Sequence, residues 1–531
     1  MLRSVIVLLL SSVIISQVSG YRILGIFPLN SRSHEMMFEA LMKGLAKRGH
    51  QVDVVTHFSV KNPPKNYKTV VNLAGTMETL VNNFTIDFAL SVRGDVGYHV
   101  ATTFGNRLCN LLALKEMQDL IHNPPNDPPY DVLITEAFGS TCFMGIAHHF
   151  NIPIVAASSA VEYPWVSDFT GNNDNPAVVP NALYMAFGQL NFWQRLENTI
   201  LYHKEVMNYH SLTDKFQTDI MRKYINPNIP NIREVERSVA LTLVNSHPIL
   251  FGVKSVLPTV VQTAGLHIEE NDATLPQDLK KWMDESKDGV VYFTFGSMVI
   301  IETLPVDKLK ALYSSFAKIS PVRVLMKIAD KTKLPPGLPN NILTLPWIPQ
   351  QPILGKFNCL THNNTKAFMT HGGLMGSQEA LYYGIPMIGV PIFADQPRNV
   401  ASFVAKNMSI QLQLEDISEE TLDAALKAIL FDPKYRMSAK HHSKLFKDNP
   451  LSSMDTADFW IEYIIRNGPH VLRPPSLNLT WWQLALLDVY AFIILASVMA
   501  KLVLYYALKF ILQKFGIFTK SNEIRNEKKR N

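Results

Sequence analysis

The chain opens, after a first apolar run, with a strand-like segment, a helix and a second strand. YRILGIFPL is followed by NSRSHEMMFEALMKGLAKRGHQ, in which Met37, Leu41 and Leu45 recur at helical spacing. Ser33 is of the residue type that caps a helix start, and Gly49 of the type that ends one. VDVVT then completes a strand–helix–strand unit, whose length favours parallel pairing of the two strands.

The same alternation recurs along both halves of the chain. DVLITEA and IPIVAASSA flank a helical stretch in the first half; the second half has strand-like runs at GVVYFTFGSM, VRVLMKI, ILTLPWI, KAFMT, PMIGVPIF and SIQLQL. Between the halves, residues 251–286 are polar and contain prolines, which predicts a linker. We therefore predict an α/β fold of two Rossmann-like, doubly wound domains facing a cleft, residues 21–250 and 287–470.

Two longer apolar runs lie near the ends of the chain. Arg3 precedes SVIVLLLSSVII and the small residues of SQVSG, a pattern that predicts a signal peptide over residues 1–20. Residues 484–510 exceed the ~20 apolar residues that span a bilayer, so we predict a single transmembrane helix. Trp481 and Trp482 stand where an aromatic belt is expected. The alternative for the first run is a buried helix or strand, and the alternative for the second is a long amphipathic or core helix.

The chemistry of the C-terminal tail predicts an orientation. Residues 511–531 are basic, and the positive-inside rule places such a tail in the cytosol. The final KKRN resembles a dilysine retrieval signal of the endoplasmic reticulum. We predict a single-pass type I protein of that membrane, with membrane lipid as a partner and the body in the lumen. Four N-x-S/T sequons fit a lumenal body: Asn83, Asn363, Asn407 and Asn478.

Composition mainly excludes functions. The net charge of +5 is small for 531 residues and the basic side chains are scattered except at the very end of the chain, which argues against a nucleic-acid partner. Cys109, Cys142 and Cys359 do not make a disulfide framework, and their spacing matches no zinc pattern. We expect no metal and no cofactor. No G-x-G-x-x-G follows the first strand, which argues against a nicotinamide-dependent dehydrogenase.

The densest set of polar residues follows the strand-like run KAFMT. Ligands of doubly wound sheets bind beyond the carboxyl ends of strands, and a helix N-terminus such as that after Gly373 suits a phosphate. His371 can add a donor there. Glu379 can accept hydrogen bonds from a pair of sugar hydroxyls, and Asp395 with Gln396 can bind further hydroxyls.

An aromatic residue upstream completes this series. Trp347 can stack on a base, with Gln350 beside it, so the order of groups matches a base, a ribose, a diphosphate and a hexose. Each of these residues has a commoner interpretation when it is taken alone: His371 as a turn residue, Asp395 as a helix cap and Trp347 as a core residue. The prediction of a nucleotide-sugar site therefore rests on the joint order of these residues.

LPWIPQQPIL…NTKAFMTHGGLMGSQEALYYGIPMIGVPIFADQPRNV resembles the signature of the UDP-glycosyltransferases. The whole chain is similar to membrane-bound, UDP-glucuronosyltransferase-like members, and HGGL…QEAL to the insect branch. The resemblance implies a GT-B architecture with an acceptor-binding first half and a UDP-sugar-binding second half. It assigns uracil to Trp347 and Gln350, ribose to Glu379, the diphosphate to His371, Gly373 and Ser297, and the sugar to Asp395 and Gln396.

The resemblance also implies the catalytic groups. The family uses the histidine of an SH pair, here His34, as general base, since imidazole can take a proton near neutral pH. Glu136 stands where relatives often carry Asp to orient that base. The implied reaction is an inverting transfer of a hexose from a UDP-sugar, with UDP-glucose expected, to a hydroxyl of a small lipophilic acceptor. Members often self-associate, so a homo-oligomer is also expected.

Two departures from the family pattern leave an alternative open. Residues 355–363 make the link before KAFMT longer than usual, and Met375 replaces an Asn that donates to phosphate in many relatives; Ser377 is the expected substitute donor. The alternative function is a catalytically impaired, membrane-anchored nucleotide-sugar-binding or partner protein. The acceptor pocket is expected to include Phe84, Phe104 and Phe138, with a core role as the alternative for each. The sequence does not identify the acceptor or the sugar.

Overall fold

The computed structural model describes residues 20–184, 188–268, 275–355 and 364–515. The predicted signal peptide up to residue 19, Cys359, Asn363, nearly all of the long link and the tail beyond residue 515 lie outside the described residues. The chain divides into a body that ends at Arg473 and a C-terminal unit that begins at Pro474.

The first half of the body is built on a parallel sheet of seven strands in the order β3-β2-β1-β4-β5-β6-β7. These strands are rich in Val, Ile and Leu and mostly buried, as parallel strands between helices require. The strands are β1 (Arg22–Phe27), β2 (Gln51–Thr56), β3 (Tyr67–Asn72), β4 (Val132–Glu136), β5 (Ile154–Ser158), β6 (Val239–Val244) and β7 (Val260–Gln262).

Helices connect these strands and cover both faces of the sheet. The helices are α1 (Arg32–Lys47), α2 (Ile86–Arg93), α3 (Val96–Ala101), α4 (Arg107–Cys109), α5 (Lys115–His122), α6 (Met144–Phe150), α7 (Pro164–Thr170), α8 (Phe192–Tyr224), α9 (Ile232–Glu236) and α10 (Pro248–Phe251). A π-helical segment (Thr102–Asn106) and 3-10 turns (Asn110–Ala113 and Thr141–Phe143) extend α3, α4 and α6.

The second half repeats the plan with six parallel strands in the order β10-β9-β8-β11-β12-β13. The strands are β8 (Val290–Thr294), β9 (Arg323–Lys327), β10 (Ile342–Leu345), β11 (Thr365–Thr370), β12 (Met387–Gly389) and β13 (Ser409–Gln411). The helices are α11 (Gln277–Glu285), α12 (Val306–Lys318), α13 (Gln350–Leu354), α14 (Leu374–Tyr383), α15 (Gln396–Ala405), α16 (Glu419–Phe431), α17 (Pro433–Lys447) and α18 (Ser453–Asn467), with 3-10 turns at Ile301–Thr303 and Lys331–Lys333.

Each sheet changes winding direction once, and this decides where a ligand can bind. In the first sheet the change lies between β1 and β4, and in the second between β8 and β11. Loops from neighbouring strands diverge at such a point, so a crevice opens at their carboxyl ends. The two Rossmann-like parallel sheets confirm the predicted fold class.

The two halves exchange segments. Phe84 pairs with Val299 in an isolated parallel bridge, and α2 packs in the hydrophobic core of the second half. In return, Ile461 and Ile464 of α18 pack with Ile23 and Phe27 of the first sheet. The two sheets are therefore joined by buried apolar surface from both ends of the body.

Several local expectations differ from the structure. α1 begins at Arg32, with Ser31 in the cap position, so Ser33 lies in the first turn and is not the cap. The segment 251–286 contains β7 and α11 rather than only irregular chain. Cys109 and Cys142 form a disulfide, which their spacing gave no reason to expect.

The C-terminal unit contains a 3-10 turn (Pro475–Asn478) and two helices, α19 (Trp481–Leu484) and α20 (Leu487–Lys514). The 28 residues of α20 are long and apolar enough to cross a membrane. This helix begins and ends a few residues after the predicted span of 484–510, and the similarity in length supports a membrane anchor.

Candidate active site

A cavity of about 1570 Å³ is lined by residues from the crevices of both sheets. His34 follows β1, while Ser297 follows β8 and His371 follows β11. Trp347, Gln350, Gly373, Glu379, Asp395 and Gln396 also line this cavity. The fold thus brings most of the sequence-predicted site residues to one space.

His34 is held by two residues at the ends of neighbouring strands. Its Nδ1 lies 2.5 Å from Oε1 of Glu136, the last residue of β4, and 2.8 Å from Oγ of Ser159, which follows β5. The His34 side chain is 21% exposed, whereas that of Glu136 is 2% exposed. A carboxylate at Nδ1 holds the proton on that nitrogen, which leaves Nε2 with a lone pair. The arrangement can therefore act as a general base.

His371 lies on the opposite side of the cavity in a close fit between two glycines. A side chain on Gly296 or Gly373 would approach the imidazole to 2.6 or 2.8 Å, respectively. Burial and the nearby Lys327 ammonium lower the pKa of His371 to about 4. The ring is thus neutral at physiological pH and can donate one hydrogen bond.

The start of α14 follows this histidine directly. Gly372 has a φ of +83°, a conformation that favours glycine, and Gly373 occupies the cap position of the ten-residue helix. Free N–H groups and the helix dipole suit an anion here. Ser297 Oγ is buried without a hydrogen-bond partner among the described residues, so its hydroxyl can serve a ligand.

Ser377, the expected substitute phosphate donor, is not among the residues that line the cavity. Ser377 is fully buried and does not line the cavity, whereas Met375 does. Its position one turn into α14 encloses the Ser377 hydroxyl in the interior, apart from the residues that line the cavity.

Glu379 and Gln350 form a polar pair further along the cavity. Gln350 Nε2 donates to Glu379 Oε2 at 2.6 Å, while Gln350 Oε1 accepts from Tyr292 Oη at 3.2 Å. Glu379 Oε1 lies 3.5 Å from His267 Nε2. Trp347 is 49% exposed and presents its ring to the same region.

Asp395 and Gln396 differ in how they are engaged. The Gln396 amide oxygen accepts from the backbone N–H groups of Ile392 and Phe393, so it shapes its own loop. Asp395 accepts from Asn399 Nδ2 at 2.8 Å. Burial raises the pKa of the Asp395 carboxyl, and the charge of His34 acts on it in the opposite direction. Asp395 therefore lies within electrostatic range of His34.

Sequence reasoning missed Lys327, which ends β9. Its Nζ donates to Asn82 Oδ1 at 2.5 Å and to the Gly296 carbonyl at 2.8 Å, and lies 5.9 Å from the centre of the Trp347 ring. Burial lowers the pKa of Lys327 to about 8. A lone lysine at the carboxyl end of the apolar run VRVLMKI was the available signal. Ser159 and His267 were also missed.

The aromatic residues expected at the acceptor side all line the cavity. Phe138 contacts the His34 ring edge-on, with 5.0 Å between ring centres. Phe104 is partly buried, and Phe84 also belongs to the core of the second half. Phe138 gives the space beside His34 an apolar surface, and Phe84 and Phe104 add apolar lining to the same cavity.

The described sequons lie in different environments. Asn83 Nδ2 donates to the Thr79 carbonyl at 3.0 Å, and its Oδ1 is buried without a hydrogen-bond partner among the described residues. Asn407 and Asn478 are exposed. The latter two are therefore the more accessible sites for a glycan.

Comparison with known proteins places these features in a family. A model of the UDP-glucoronosyl and UDP-glucosyl transferases matches residues 24–523. UDP-glycosyltransferase UGT5 of Dactylopius coccus is 34% identical over 524 residues, covering 97% of both chains. UDP-glucosyltransferase 2 of the same species is 32% identical and covers 98% of this chain and 99% of the relative. Human UDP-glucuronosyltransferase 2B15 is 29% identical, with 92% and 91% covered.

Solved structures support the same fold. The glycosyltransferase VinC in complex with dTDP aligns with a TM-score of 0.54 at 16% identity, covering 84% of this chain and 100% of that one. The glycotransferase of kitacinnamycin aligns with the same TM-score at 18% identity, with 84% and 98% covered. At these identities the likeness concerns the fold, which is GT-B.

Proposed function

This chain belongs to the family of UDP-glucoronosyl and UDP-glucosyl transferases, and we propose that it transfers a hexose to a hydroxyl of a small lipophilic acceptor with inversion. It is a glycosyltransferase that uses a UDP-sugar. The observation that carries the proposal is the contact of His34 with the buried Glu136 carboxylate, together with the lining of one cavity by His34 and Asp395.

The proposed reaction is a single displacement. The acceptor oxygen attacks the anomeric carbon while its proton passes to His34 Nε2, and the bond from that carbon to the diphosphate oxygen breaks with its electron pair on UDP. Glu136 stabilises the imidazolium that forms, because its carboxylate is already at Nδ1. Oxocarbenium character develops at the sugar, and an α-linked donor gives a β-linked product.

The leaving diphosphate gains negative charge, and the second half supplies the groups to meet it. The first turn of α14 offers N–H donors and a positive dipole end. Neutral His371 and the Ser297 hydroxyl add hydrogen bonds, and Lys327 adds a nearby cation whose pKa of about 8 keeps it largely charged at neutral pH. The proposed reaction needs no cofactor beyond the UDP-sugar.

We propose UDP-glucose as the donor. The name of one relative that covers nearly the whole chain specifies a glucosyltransferase, which supports this choice over glucuronic acid. Trp347 would stack on uracil, Glu379 would accept from the ribose hydroxyls, and Asp395 with Gln396 would bind the hexose. For Gln396 this role falls to Nε2, because its oxygen is engaged by the backbone.

We propose that the body faces the lumen of the endoplasmic reticulum with α20 as anchor. Support comes from the apolar length of α20, from the basic residues beyond it and from the Cys109–Cys142 disulfide, which fits an oxidising compartment. A lipophilic acceptor that partitions into the same membrane would reach the cavity at high local concentration.

The test uses the full chain in membranes. The membranes are incubated with a simple phenol and, in separate reactions, UDP-glucose, UDP-glucuronic acid or UDP-N-acetylglucosamine. We expect the phenol to gain the mass of a hexose in the reaction with UDP-glucose. The proton coupling of the product should identify a β-linkage. Transfer only from UDP-glucuronic acid would overturn the donor assignment, and an α-linked product would overturn the single displacement. No transfer, with UDP still bound, would favour the impaired nucleotide-sugar-binding protein.

A further inference from the structure

A fully buried glutamine in the donor-side helix is bonded to the other half of the body. Gln378 lies in α14, one residue before Glu379. Its side chain makes hydrogen bonds to the first half of the body. Its Oε1 accepts from the Gly265 N–H at 2.9 Å, and its Nε2 donates to the Asn245 carbonyl at 3.2 Å. Gly265 follows β7 and Asn245 follows β6. The Gln378 bridge, meaning these two hydrogen bonds, therefore ties α14 to the first sheet.

The residue at the far end of this bridge is bonded to the loop that holds the catalytic base. Asn245 Nδ2 donates to the Ser159 carbonyl at 2.9 Å, and the Asn245 N–H donates to the Ser158 carbonyl. Ser159 Oγ lies 2.8 Å from Nδ1 of His34. A continuous chain of hydrogen bonds thus runs from α14 through Asn245 and Ser159 to the imidazole.

We propose that Gln378 is a positioning residue that fixes the donor-side helix at the correct distance from His34. The inference rests on the proposed function, because it assumes a donor at the start of α14 and a base at His34. Gln378 touches neither reactant in this scheme. It acts through Asn245 and Ser159 on the first half and through the rigid helix on the second.

The proposed donor contacts and the base lie in different halves, which gives this role a distinct kinetic signature. Trp347, Glu379 and His371 all belong to the second half, so UDP binding does not require the bridge. Transfer requires the acceptor oxygen, the anomeric carbon and His34 to come together, and a displacement of about 1 Å costs roughly 100-fold in rate. Loss of the bridge should lower kcat and leave UDP affinity unchanged.

Gln378→Met tests this signature in the full chain, because methionine keeps the length of the side chain and removes both hydrogen bonds. We expect kcat to fall at least tenfold while the Kd for UDP, measured by calorimetry, stays within twofold of wild type. Gln277→Met is the matched control, since Gln277 is an exposed glutamine at the start of α11, and it should leave both quantities unchanged. An unchanged kcat in Gln378→Met, or an equal loss of UDP affinity, would overturn the proposal.

Gln378→Glu provides a second test that holds even where the methionine variant does not fold. A protonated glutamic acid can still accept from Gly265 and donate to Asn245, whereas the carboxylate can only accept. Burial raises the pKa of such a carboxyl, so the rate relative to wild type should fall as pH rises between about 5 and 9. His34, His267 and Glu379 are present in both proteins, and the ratio removes any effect that they share.

The outcomes distinguish a failure of the positioning role of Gln378 from a failure of the proposed sugar transfer. A relative rate for Gln378→Glu that is constant with pH would overturn the positioning role alone, provided the wild type transfers sugar. A wild type that transfers no sugar from any of the three donors would overturn the transfer function and the positioning role together.

Discussion

The two sides of the cavity satisfy their polar groups in different ways. The base side, His34 with Glu136 and Ser159, is paired within the protein through contacts of 2.5 and 2.8 Å at one ring nitrogen. The donor side contains Ser297 Oγ and Glu379 Oε1, both buried without a hydrogen-bond partner among the described residues. Buried polar atoms are normally paired, so the donor side has the chemistry of a surface that a ligand completes.

This difference fits the roles that we propose for the two sides. A general base needs its tautomer and orientation fixed before the acceptor arrives, which internal partners provide. A binding surface for a sugar nucleotide needs donors and acceptors that are not committed to the protein. The comparison therefore predicts that changes on the base side alter the rate, whereas changes on the donor side alter binding.

Removing the base should produce the largest effect. His34→Ala is expected to lower kcat by about 10²- to 10⁴-fold, the usual contribution of a general base, with the Kd for UDP within twofold of wild type. Steady-state transfer and calorimetry check this pair of values. His122→Ala is the matched control, because His122 is exposed at the end of α5. A loss of UDP affinity in His34→Ala would break the division between the two sides.

Glu35, the residue after His34, is an exception among the polar groups of the base side. Both of its carboxyl oxygens are buried without a hydrogen-bond partner among the described residues, and burial raises its pKa from 4.5 to about 8. Between these values the folded protein holds a proton that the unfolded chain has lost, so stability falls as pH rises. Glu35→Gln should therefore stabilise the protein by up to about 3 kcal/mol at pH 7.

Thermal unfolding of the full chain in detergent at pH 4.5 and 7.5 checks this expectation. The gain from Glu35→Gln should appear at pH 7.5 and be small at pH 4.5, since wild-type Glu35 is then neutral in the fold and only partly ionised in the unfolded chain. Glu116→Gln is the control, because Glu116 is exposed. An equal shift at both pH values would show that Glu35 is not the titrating group.

Lys327 should affect binding more than rate. A charge-assisted hydrogen bond contributes about 1.5–3 kcal/mol, so Lys327→Met is expected to weaken UDP binding roughly 10- to 100-fold. Uridine, which lacks the diphosphate, should lose little affinity. Because burial lowers the pKa of Lys327 to about 8, wild-type UDP affinity should decline as pH rises through that value.

Calorimetric titration of UDP and uridine against both proteins measures this difference. Lys331→Met supplies the control, since Lys331 is an exposed lysine just beyond β9. Equal losses of affinity for UDP and uridine would place Lys327 at the uracil ring rather than at the diphosphate.

The smallest effect is expected at Ser159. Ser159→Ala removes one of the two partners of His34 Nδ1 and leaves Glu136 in place. A neutral hydrogen bond contributes about 1 kcal/mol, so kcat should fall only about fivefold, while Glu136→Gln should cost considerably more. Parallel rate measurements on both variants check the order. A greater loss in Ser159→Ala would make the serine, not the carboxylate, the main support of the base.

The local patterns of the sequence predicted the strands, their parallel pairing and the two crevices well. The order of Trp347, Gln350, His371 and Glu379 along the chain placed them around one cavity, because they follow or flank strands of one doubly wound sheet. Sequence patterns did not reveal residues whose proposed role depends on contacts with distant parts of the chain. Gln378 appeared only as part of a motif, because its partners Gly265 and Asn245 lie more than a hundred residues away.

The disulfide and the packing of α18 on the first sheet could not be predicted from the sequence for a related reason. Cys109 and Cys142 are 33 residues apart, and no periodicity relates the helix of Ile461 to β1. Such pairings depend on how finished elements pack against each other, whereas hydrophobic periodicity reports only which face of an element is buried.

A structure of the full chain determined with UDP bound would test the proposed site directly. We expect uracil against Trp347, the ribose hydroxyls at Glu379 and the diphosphate at His371 and the first turn of α14, with His34 facing the terminal phosphate across the cavity. UDP bound away from the start of α14, or bound there with His34 turned out of the cavity, would contradict this expectation.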